Sequence, residues 1–164
     1  IKLISMAISH ALQPLLLLLL SLFFLPAALG AFVNFTNCGL SNIDRGINAT
    51  SVRINPYPLG IGENATFTIT ANSTINITAG NIELDTYTST TVPLVLHRVR
   101  KTYSLCNVTA CPVTAGLIVF NFPIVIPRNN RVTNQSEYFA IIRMYENIIY
   151  QTMCFAFTYP TRKP

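Results

Sequence analysis

Ala65-Thr66-Phe67-Thr68-Ile69-Thr70-Ala71 is the stretch of sequence that decides the fold, because its apolar residues and its threonines alternate strictly. Successive side chains of a β-strand point to opposite faces, so this period of two predicts a strand with one buried face and one solvated face. Half-buried strands of this kind are typical of antiparallel sheets. Asn72-Ser73-Thr74 interrupts the alternation, and Ile75 and Ile77 resume it.

The same alternation recurs in both directions from this stretch, without a convincing helical pattern. A break at Ala79-Gly80-Asn81 precedes a further strand that contains Ile82 and Leu84. The other predicted strands cover residues 31–36, 47–54, 92–105, 116–126, 138–146 and 148–158. Many short strands separated by turn residues predict an all-β fold, an antiparallel β-sandwich.

The first thirty residues have the pattern of a targeting segment. Lys2 precedes an almost unbroken apolar run from Leu15 to Leu25, and Ala28 and Gly30 supply the small residues of a cleavage site. The run is shorter than the roughly 20 apolar residues that a transmembrane helix needs, so a signal anchor is the less favoured alternative. We therefore expect a signal peptide over residues 1–30 and one domain over residues 31–164.

The four cysteines form one distant pair and one close pair. Four cysteines in an exported chain predict a disulfide framework with three possible connectivities. The spacing favours Cys38–Cys154 and Cys106–Cys111. Free thiols and zinc ligands are the alternatives, and both histidines lie away from the close pair.

Seven Asn-x-Ser/Thr sequons support export of the chain. Together with the leader and the cysteines, they predict a glycoprotein of the secretory pathway, located outside the cell or in the lumen of a vacuole or lysosome. The predicted glycosylation sites are Asn34, Asn48, Asn64, Asn72, Asn76, Asn107 and Asn134.

The net charge of +5 is mild and scattered, which argues against nucleic acid as a partner. Two small basic clusters occur, at residues 98–101 and 128–131. Their simplest interpretation is solvated charge at loops and strand ends. The alternative is transient docking on an anionic membrane, where each basic residue adds about 1 kcal/mol.

The sequence shows no nucleophile motif, phosphate-binding loop or metal-ligand spacing. Glu83 and Asp85 alternate along one predicted strand, an arrangement typical of a solvent-facing edge. His97 lies next to basic residues, which disfavour its protonated form. We therefore predict no enzymatic activity, no metal site and no cofactor.

The strand predicted over residues 116–126 is more apolar than a half-buried strand requires. Its even positions are all apolar, whereas the odd positions include Asn121 and Pro123. We therefore predict that the even face points to the interior. Both a packed core and the lining of an apolar cavity fit this pattern.

An ordered set of motifs spans residues 31–160. It comprises Cys38, Gly60 before the alternating strand, Ala79-Gly80-Asn81-Ile82, Leu105-Cys106-x4-Cys111-Pro112-Val113-x2-Gly116, Ile126-Pro127, Tyr138 opening a strand, and Cys154 in the last strand. With these motifs in this order, the chain resembles the ML lipid-recognition family. The resemblance extends to Niemann–Pick type C-like sterol carriers and to fungal phosphatidylglycerol/phosphatidylinositol transfer proteins.

The resemblance implies an immunoglobulin-like β-sandwich with an apolar cavity between the sheets, and the same two disulfides. It places pocket positions at Val95 or Val99, near Val113, along the strand ending at Ile126, and at Tyr138 by the entrance. Many family members carry a further cysteine pair after the second strand. This chain has Asn55-Pro56-Tyr57-Pro58 there, so any head-group preference set by that loop is open.

With interior-facing positions of the other strands added, fourteen residues are candidates for lipid binding. They are Phe67, Ile69, Ile82, Leu84, Val95, Val99, Val113, Ile118, Phe120, Phe122, Ile124, Ile126, Tyr138 and Ile142.

The expected function is that of a secreted or vacuolar protein that carries a sterol or phospholipid between membranes. The lipid is then a cargo and not a cofactor, and we expect a monomer that touches an anionic membrane surface transiently. The alternative is an extracellular recognition module, a co-receptor-like or glycan- or protein-binding sandwich that transfers no lipid.

Overall fold

The computed structural model of the chain describes residues 30–38, 46–89, 96–126, 137–146 and 151–162. The predicted signal peptide up to residue 29 lies outside this part, as do Val95, Asn134 and the basic cluster at residues 128–131. No helix within the described ranges is long and apolar enough to cross a membrane.

Ten strands and one short helix make up the described part of the chain. The strands are β1 (Ala31–Val33), β2 (Phe35–Asn37), β3 (Ile47–Asn55), β4 (Leu59–Gly60), β5 (Asn64–Ser73), β6 (Asn81–Ser89), β7 (Leu96–Ser104), β8 (Gly116–Val125), β9 (Glu137–Tyr145) and β10 (Gln151–Arg162). The helix, α1, covers Leu105–Val108.

Several boundaries differ from the sequence prediction: β10 continues to Arg162, past its predicted end at residue 158, and β4 was not predicted. The single strand expected over residues 31–36 is divided at Asn34 into β1 and β2, which join different sheets. The strand expected to run to residue 105 ends at Ser104, and α1 follows where no helix was predicted. This turn forms because the Thr109 N–H donates to the Leu105 carbonyl (3.1 Å), while the Leu105 side chain is buried.

The strands form two sheets that pack face to face. The front sheet has the order β1-β3-β5-β8, and the back sheet has the order β2-β10-β9-β6-β7. Short β4 adds to the back sheet beside β10 in parallel, whereas the other pairs are antiparallel. The prediction of an all-β antiparallel sandwich is confirmed.

The hydrophobic core lies between the two sheets. Phe67 of β5 contacts Phe157 and Tyr159 of β10 edge-on, with ring centroids 5.3 and 5.2 Å apart. Such edge-to-face aromatic pairs add about 0.5–1.5 kcal/mol beyond their burial. The front and back sheets are therefore held together by aromatic contacts near the middle of β5.

Both predicted disulfides are present. Cys38, the residue after β2, is bonded to Cys154 of β10 with Cα atoms 5.2 Å apart, and Cys106 and Cys111 close the turn around α1 at 5.3 Å. The first bridge spans 116 residues and the second only 5. The long bridge therefore restricts the unfolded chain more and stabilises the folded state more. The loop-entropy model gives about 5 kcal/mol for the long bridge and about 2 kcal/mol for the short one.

Candidate functional site

The predicted pocket residues of the front sheet lie together on its inner face. Phe67 pairs in register with Phe122, and Ile69 pairs with Phe120. All four side chains are fully buried. The remaining candidates on this face are also buried, and they are Ile118, Ile124 and Ile126.

The back sheet supplies the opposing surface. Ile82, Leu84 and Ile142 are buried, and Leu84 pairs directly with Ile142. Tyr138, predicted at the entrance, is only 6% exposed, and its ring stacks on Tyr159 at 5.7 Å. Its role at an entrance stays a prediction.

Two candidates lie at the margins of this surface. Val99 is 38% exposed on β7, an edge strand of the back sheet. Val113 is buried, but it forms a bridge with Ile77 beside the short disulfide. The structure therefore brings most, but not all, of the described candidates to one inter-sheet surface.

An open groove lies where the free edges of the two sheets meet, between β7 and β8. Its volume is about 740 Å³. Ala65 and Ile124 contribute apolar lining, and Asn64, Lys101 and Thr102 contribute polar lining. Apolar lining with a few polar groups is typical of small-molecule sites.

Tyr103 spans the seam between the sheets beside this groove. Its hydroxyl donates a hydrogen bond to the Pro123 carbonyl oxygen at 2.6 Å, and its ring packs edge-on against Phe122 at 5.5 Å. Partial burial raises the pKa of Tyr103. The sequence analysis did not select this residue, although it alternates inward with Val99 on the same strand.

Strand alternation separates Lys101 from the neighbouring arginines. Lys101 lines the groove, whereas Arg98 and Arg100 lie on the outer face of the back sheet. Within the described ranges, no carboxylate forms an ion pair with Lys101. Its ammonium group is therefore a cation at the rim of the groove.

The prediction that Glu83 and Asp85 mark a solvent-facing edge is wrong. Strand β6 lies between β9 and β7, and the Asp85 carboxylate is fully buried beneath three arginines. Arg98 donates from Nε and Nη2 at 2.8 and 2.7 Å, and Arg143 donates from Nη1 at 2.8 Å. The hydrogen bond to Asp85 is the main reason that the pKa of Arg98 is raised.

Arg100, the second arginine of residues 98–101, also binds the Asp85 carboxylate. Arg100 donates to Asp85 from Nε at 2.9 Å and pairs with Glu83 at 3.1 Å. Bidentate arginine–carboxylate bonds fix the geometry of both partners. Arg98 and Arg100 are thus held by carboxylates and are not the simple solvated charges that their sequence suggested.

Tyr159 is a buried polar residue that the sequence analysis missed. Its side chain is 0% exposed, and its hydroxyl has no hydrogen-bond partner in the described part of the protein. Burial, with a smaller contribution from Tyr138, raises the pKa of Tyr159. A buried hydroxyl without a partner costs about 1–3 kcal/mol. The one sequence pattern that indicates its burial is the alternation that places Tyr159 on the same strand face as Phe155 and Phe157.

The described sequon asparagines are all at the surface. These exposed asparagines are Asn34, Asn48, Asn64, Asn72, Asn76 and Asn107. The Asn76 Oδ1 accepts a hydrogen bond from the Ala115 N–H at 2.9 Å. Within the same ranges, no group of three or more His, Cys, Asp or Glu side chains is placed to hold a metal ion.

A solved structure shares this fold. The crystal structure of a Niemann-Pick type C2 protein from the Japanese carpenter ant superposes with a TM-score of 0.52 at 10% sequence identity. The match covers 79% of this chain and 99% of that chain. At this identity the likeness supports the sandwich fold alone.

Sequence comparisons identify the family. The MD-2-related lipid-recognition protein ROSY1 of Arabidopsis thaliana is 39% identical over 130 residues, which cover 77% of this chain and 74% of the relative. The MD-2-related lipid-recognition protein 3 of the same plant is 42% identical over 108 residues, covering 65% and 61%. A family model described as the ML domain matches residues 32–161. The chain belongs to the ML domain family of lipid-recognition proteins.

Proposed function

We propose that this protein binds one lipid molecule between its two sheets and carries it between membranes. The observation that carries the proposal is the groove between β7 and β8, which adjoins the buried apolar face of β5 and β8. Ile124 belongs to both, because it lines the groove and lies 3% exposed on the inner face. Membership of a lipid-recognition family supports lipid binding in general.

The proposed cargo is a sterol or a phospholipid. Each methylene group that leaves water contributes about 0.8 kcal/mol, so apolar burial alone gives substantial affinity. The polar rim of the groove suits a molecule with one hydrophilic end. No catalytic step is part of this proposal, and the lipid leaves chemically unchanged.

The proposed location is the secretory pathway, with delivery outside the cell or to a vacuolar or lysosomal lumen. The leader-like first 30 residues, the sequons and the two disulfides support it. We expect a glycosylated monomer that contacts an anionic membrane transiently. Lys101, at the rim of the groove, is well placed to approach lipid phosphates.

Lipid extraction tests the proposal directly. Protein secreted by a eukaryotic host is extracted with organic solvent and examined by lipid mass spectrometry, and we expect stoichiometric lipid. Delipidated protein should then bind a fluorescent sterol or phospholipid saturably, near one molecule per chain, and move it between liposomes. Folded protein with both disulfides intact and no saturable uptake would contradict the proposal.

One observation favours the second candidate, an extracellular recognition module. Leu117 and Val119 are 72% and 41% exposed on β8, an edge strand of the front sheet. An edge strand with exposed apolar side chains can pair with another polypeptide. A protein that is purified without lipid and takes none up would support this candidate.

A further inference from the structure

The sequon Asn64-Ala65-Thr66 lies at the rim of the groove. All three of its residues line the groove, and Asn64 is exposed. Asn64 pairs in register with Val125, a further lining residue that is 37% exposed. Directly opposed residues of two antiparallel strands have Cβ atoms about 5 Å apart on one face of the sheet. A sugar attached to Asn64 would therefore lie beside Val125, at the edge of the opening.

The other sequons of the front sheet lie at its opposite end. Asn72 belongs to the same strand as Asn64, and the eight residue steps between them span about 27 Å. Because this number of steps is even, the two asparagines share the outer face of β5. Asn48 of β3 pairs in register with Asn72. Of the sequon asparagines in the described ranges, Asn64 alone lines the groove.

Carbohydrate at this position changes what can approach the groove. An N-linked glycan is bulky and hydrophilic, and polar groups pressed against lipid without hydrogen-bond partners cost free energy. A glycan on Asn64 therefore keeps a membrane surface away from Val125 and from the apolar lining behind it. Lys101, on the β7 side of the same groove, attracts an anionic surface. The glycan and Lys101 thus have opposite effects on the same encounter.

The rates of lipid exchange should change more than the equilibrium affinity. A glycan shifts a binding equilibrium only by the difference between its interactions with the lipid-bound and the lipid-free protein. Asn64 lies on the outer face of β5, whereas Phe67 and Ile69 of the proposed lipid site lie on the inner face. The glycan therefore stands beside the path into the site and away from the bound lipid, so uptake and release change together.

Resting on the proposed lipid-binding function, we infer that Asn64 carries an N-linked glycan that slows lipid exchange between this protein and membranes. The donor is an oligosaccharide joined to a lipid through a diphosphate. The Asn64 Nδ2 forms a bond to the anomeric carbon of the first sugar, and the bond from that carbon to the diphosphate oxygen breaks. The proton that Nδ2 loses passes to solvent. The glycosylation state of this residue then sets how fast the protein loads and unloads.

Asn64→Gln tests this inference, because the sequon requires asparagine. Both proteins are secreted by a eukaryotic host, and glycopeptide mass spectrometry measures the occupancy of Asn64. Stopped-flow fluorescence follows exchange of dehydroergosterol and of pyrene-labelled phosphatidylcholine with liposomes of phosphatidylcholine and phosphatidylglycerol. We expect the variant to load and unload about fivefold faster, since the liposome surface can dock in more orientations. The equilibrium affinity should change less than about twofold.

The double variant Asn48→Gln and Asn72→Gln is the matched control, because it removes carbohydrate from the far end of the same sheet. It should exchange lipid at the wild-type rate. A second measurement avoids any effect of substitution on folding. Trimming the folded wild-type protein to single sugars with an endoglycosidase should reproduce the fast exchange, and trimming should not accelerate the Asn64 variant further.

Three outcomes would overturn the inference while leaving lipid binding intact. They are an unoccupied Asn64 in the wild-type protein, exchange in the Asn64 variant that is no faster than in the wild type, and equal acceleration in the double variant. Failure of the wild-type protein and the Asn64 variant, trimmed or untrimmed, to bind either probe would instead overturn the proposed function, and this inference with it.

Discussion

The Tyr103 hydroxyl on β7 donates a hydrogen bond to the Pro123 carbonyl oxygen on β8 at 2.6 Å. The two strands are the edges of different sheets, so this bond joins the back sheet to the front sheet directly. It lies beside the groove, at the side through which a lipid would pass. On the proposed route, opening of this bond would widen the path between the sheets.

Tyr103→Phe should accelerate lipid exchange. The variant keeps the ring on Phe122 but loses a hydrogen bond worth about 0.5–1.5 kcal/mol, so uptake and release should quicken about two- to tenfold. Stopped-flow transfer of a fluorescent lipid from liposomes measures both rates. Tyr145→Phe, on the outer face of β9, should leave them unchanged. Unaltered exchange in the Tyr103 variant would show that the seam does not limit access.

Asp85→Asn should destabilise the back sheet. Removing one member of a buried ion pair usually costs about 3–5 kcal/mol, and the partial exposure of the arginines reduces this to about 2–3 kcal/mol. Urea unfolding monitored by circular dichroism measures the loss. Glu83→Gln is the control, because its contact with Arg100 is more exposed and should cost less than about 1 kcal/mol. Equal losses in the two variants would contradict a structural role specific to Asp85.

Phe120→Trp should weaken lipid loading while the sandwich stays folded. Phe120 is fully buried and lies 6.2 Å from Phe122, so a larger ring takes up space between the sheets. Overpacking of this kind costs about 1–3 kcal/mol of stability. Leu117→Trp, 72% exposed on the same strand, should affect neither property. Normal loading of the Phe120 variant at saturating lipid would place the binding site elsewhere.

Lys101→Gln should slow transfer from anionic liposomes. One basic residue near an anionic surface contributes about 1 kcal/mol, so the rate should fall about fivefold at low salt and less at high salt. Binding of a neutral sterol in solution should change little. Arg53→Gln, an equal charge change on the front sheet, is the control. Equal slowing in both variants would indicate that only the net charge matters.

Alkaline pH should destabilise the protein through its buried tyrosines. Burial raises the pKa of Tyr103, Tyr138 and Tyr159 above the ordinary value of 10.0. The folded state therefore holds these protons more tightly than the unfolded state, and stability falls as the pH rises above about 10. The urea midpoint should decrease between pH 8 and pH 10.5. It should decrease less in Tyr159→Phe, and an identical decrease would exclude Tyr159 as a contributor.

The strands and disulfides could be predicted because their signals are local. The alternation around Phe67 and Ile69 indicates both a strand and its buried face, and the buried pattern of β5 and β8 follows it. Cysteine spacing likewise favoured the pairing that the structure contains. The resemblance to a known family added the expected lipid site to this framework.

Asp85 and Tyr159 could not be predicted in the same way. Alternation assigns Asp85 to a face, but its burial depends on arginines 13 and 58 residues away in the chain. The missing partner of the Tyr159 hydroxyl could not be predicted either, because an inward-facing tyrosine normally finds a hydrogen-bond partner for its hydroxyl. Which buried polar groups find hydrogen-bond partners depends on how the two sheets pack. The alternation of residues along the sequence does not predict that packing.

The sequons are distributed unevenly over the two sheets. Asn48, Asn64 and Asn72 lie on strands of the front sheet, whereas strands β6, β7, β9 and β10 of the back sheet contain no Asn-x-Ser/Thr triplet. Carbohydrate at Asn48 and Asn72 would shield the front of the molecule, whereas carbohydrate at Asn64 would stand at the rim of the groove. The outer face of β6, β7 and β9, where Arg98, Arg100 and Arg143 surround Asp85, would carry no carbohydrate from these three strands, so a glycosylated molecule would expose this face more than the front one.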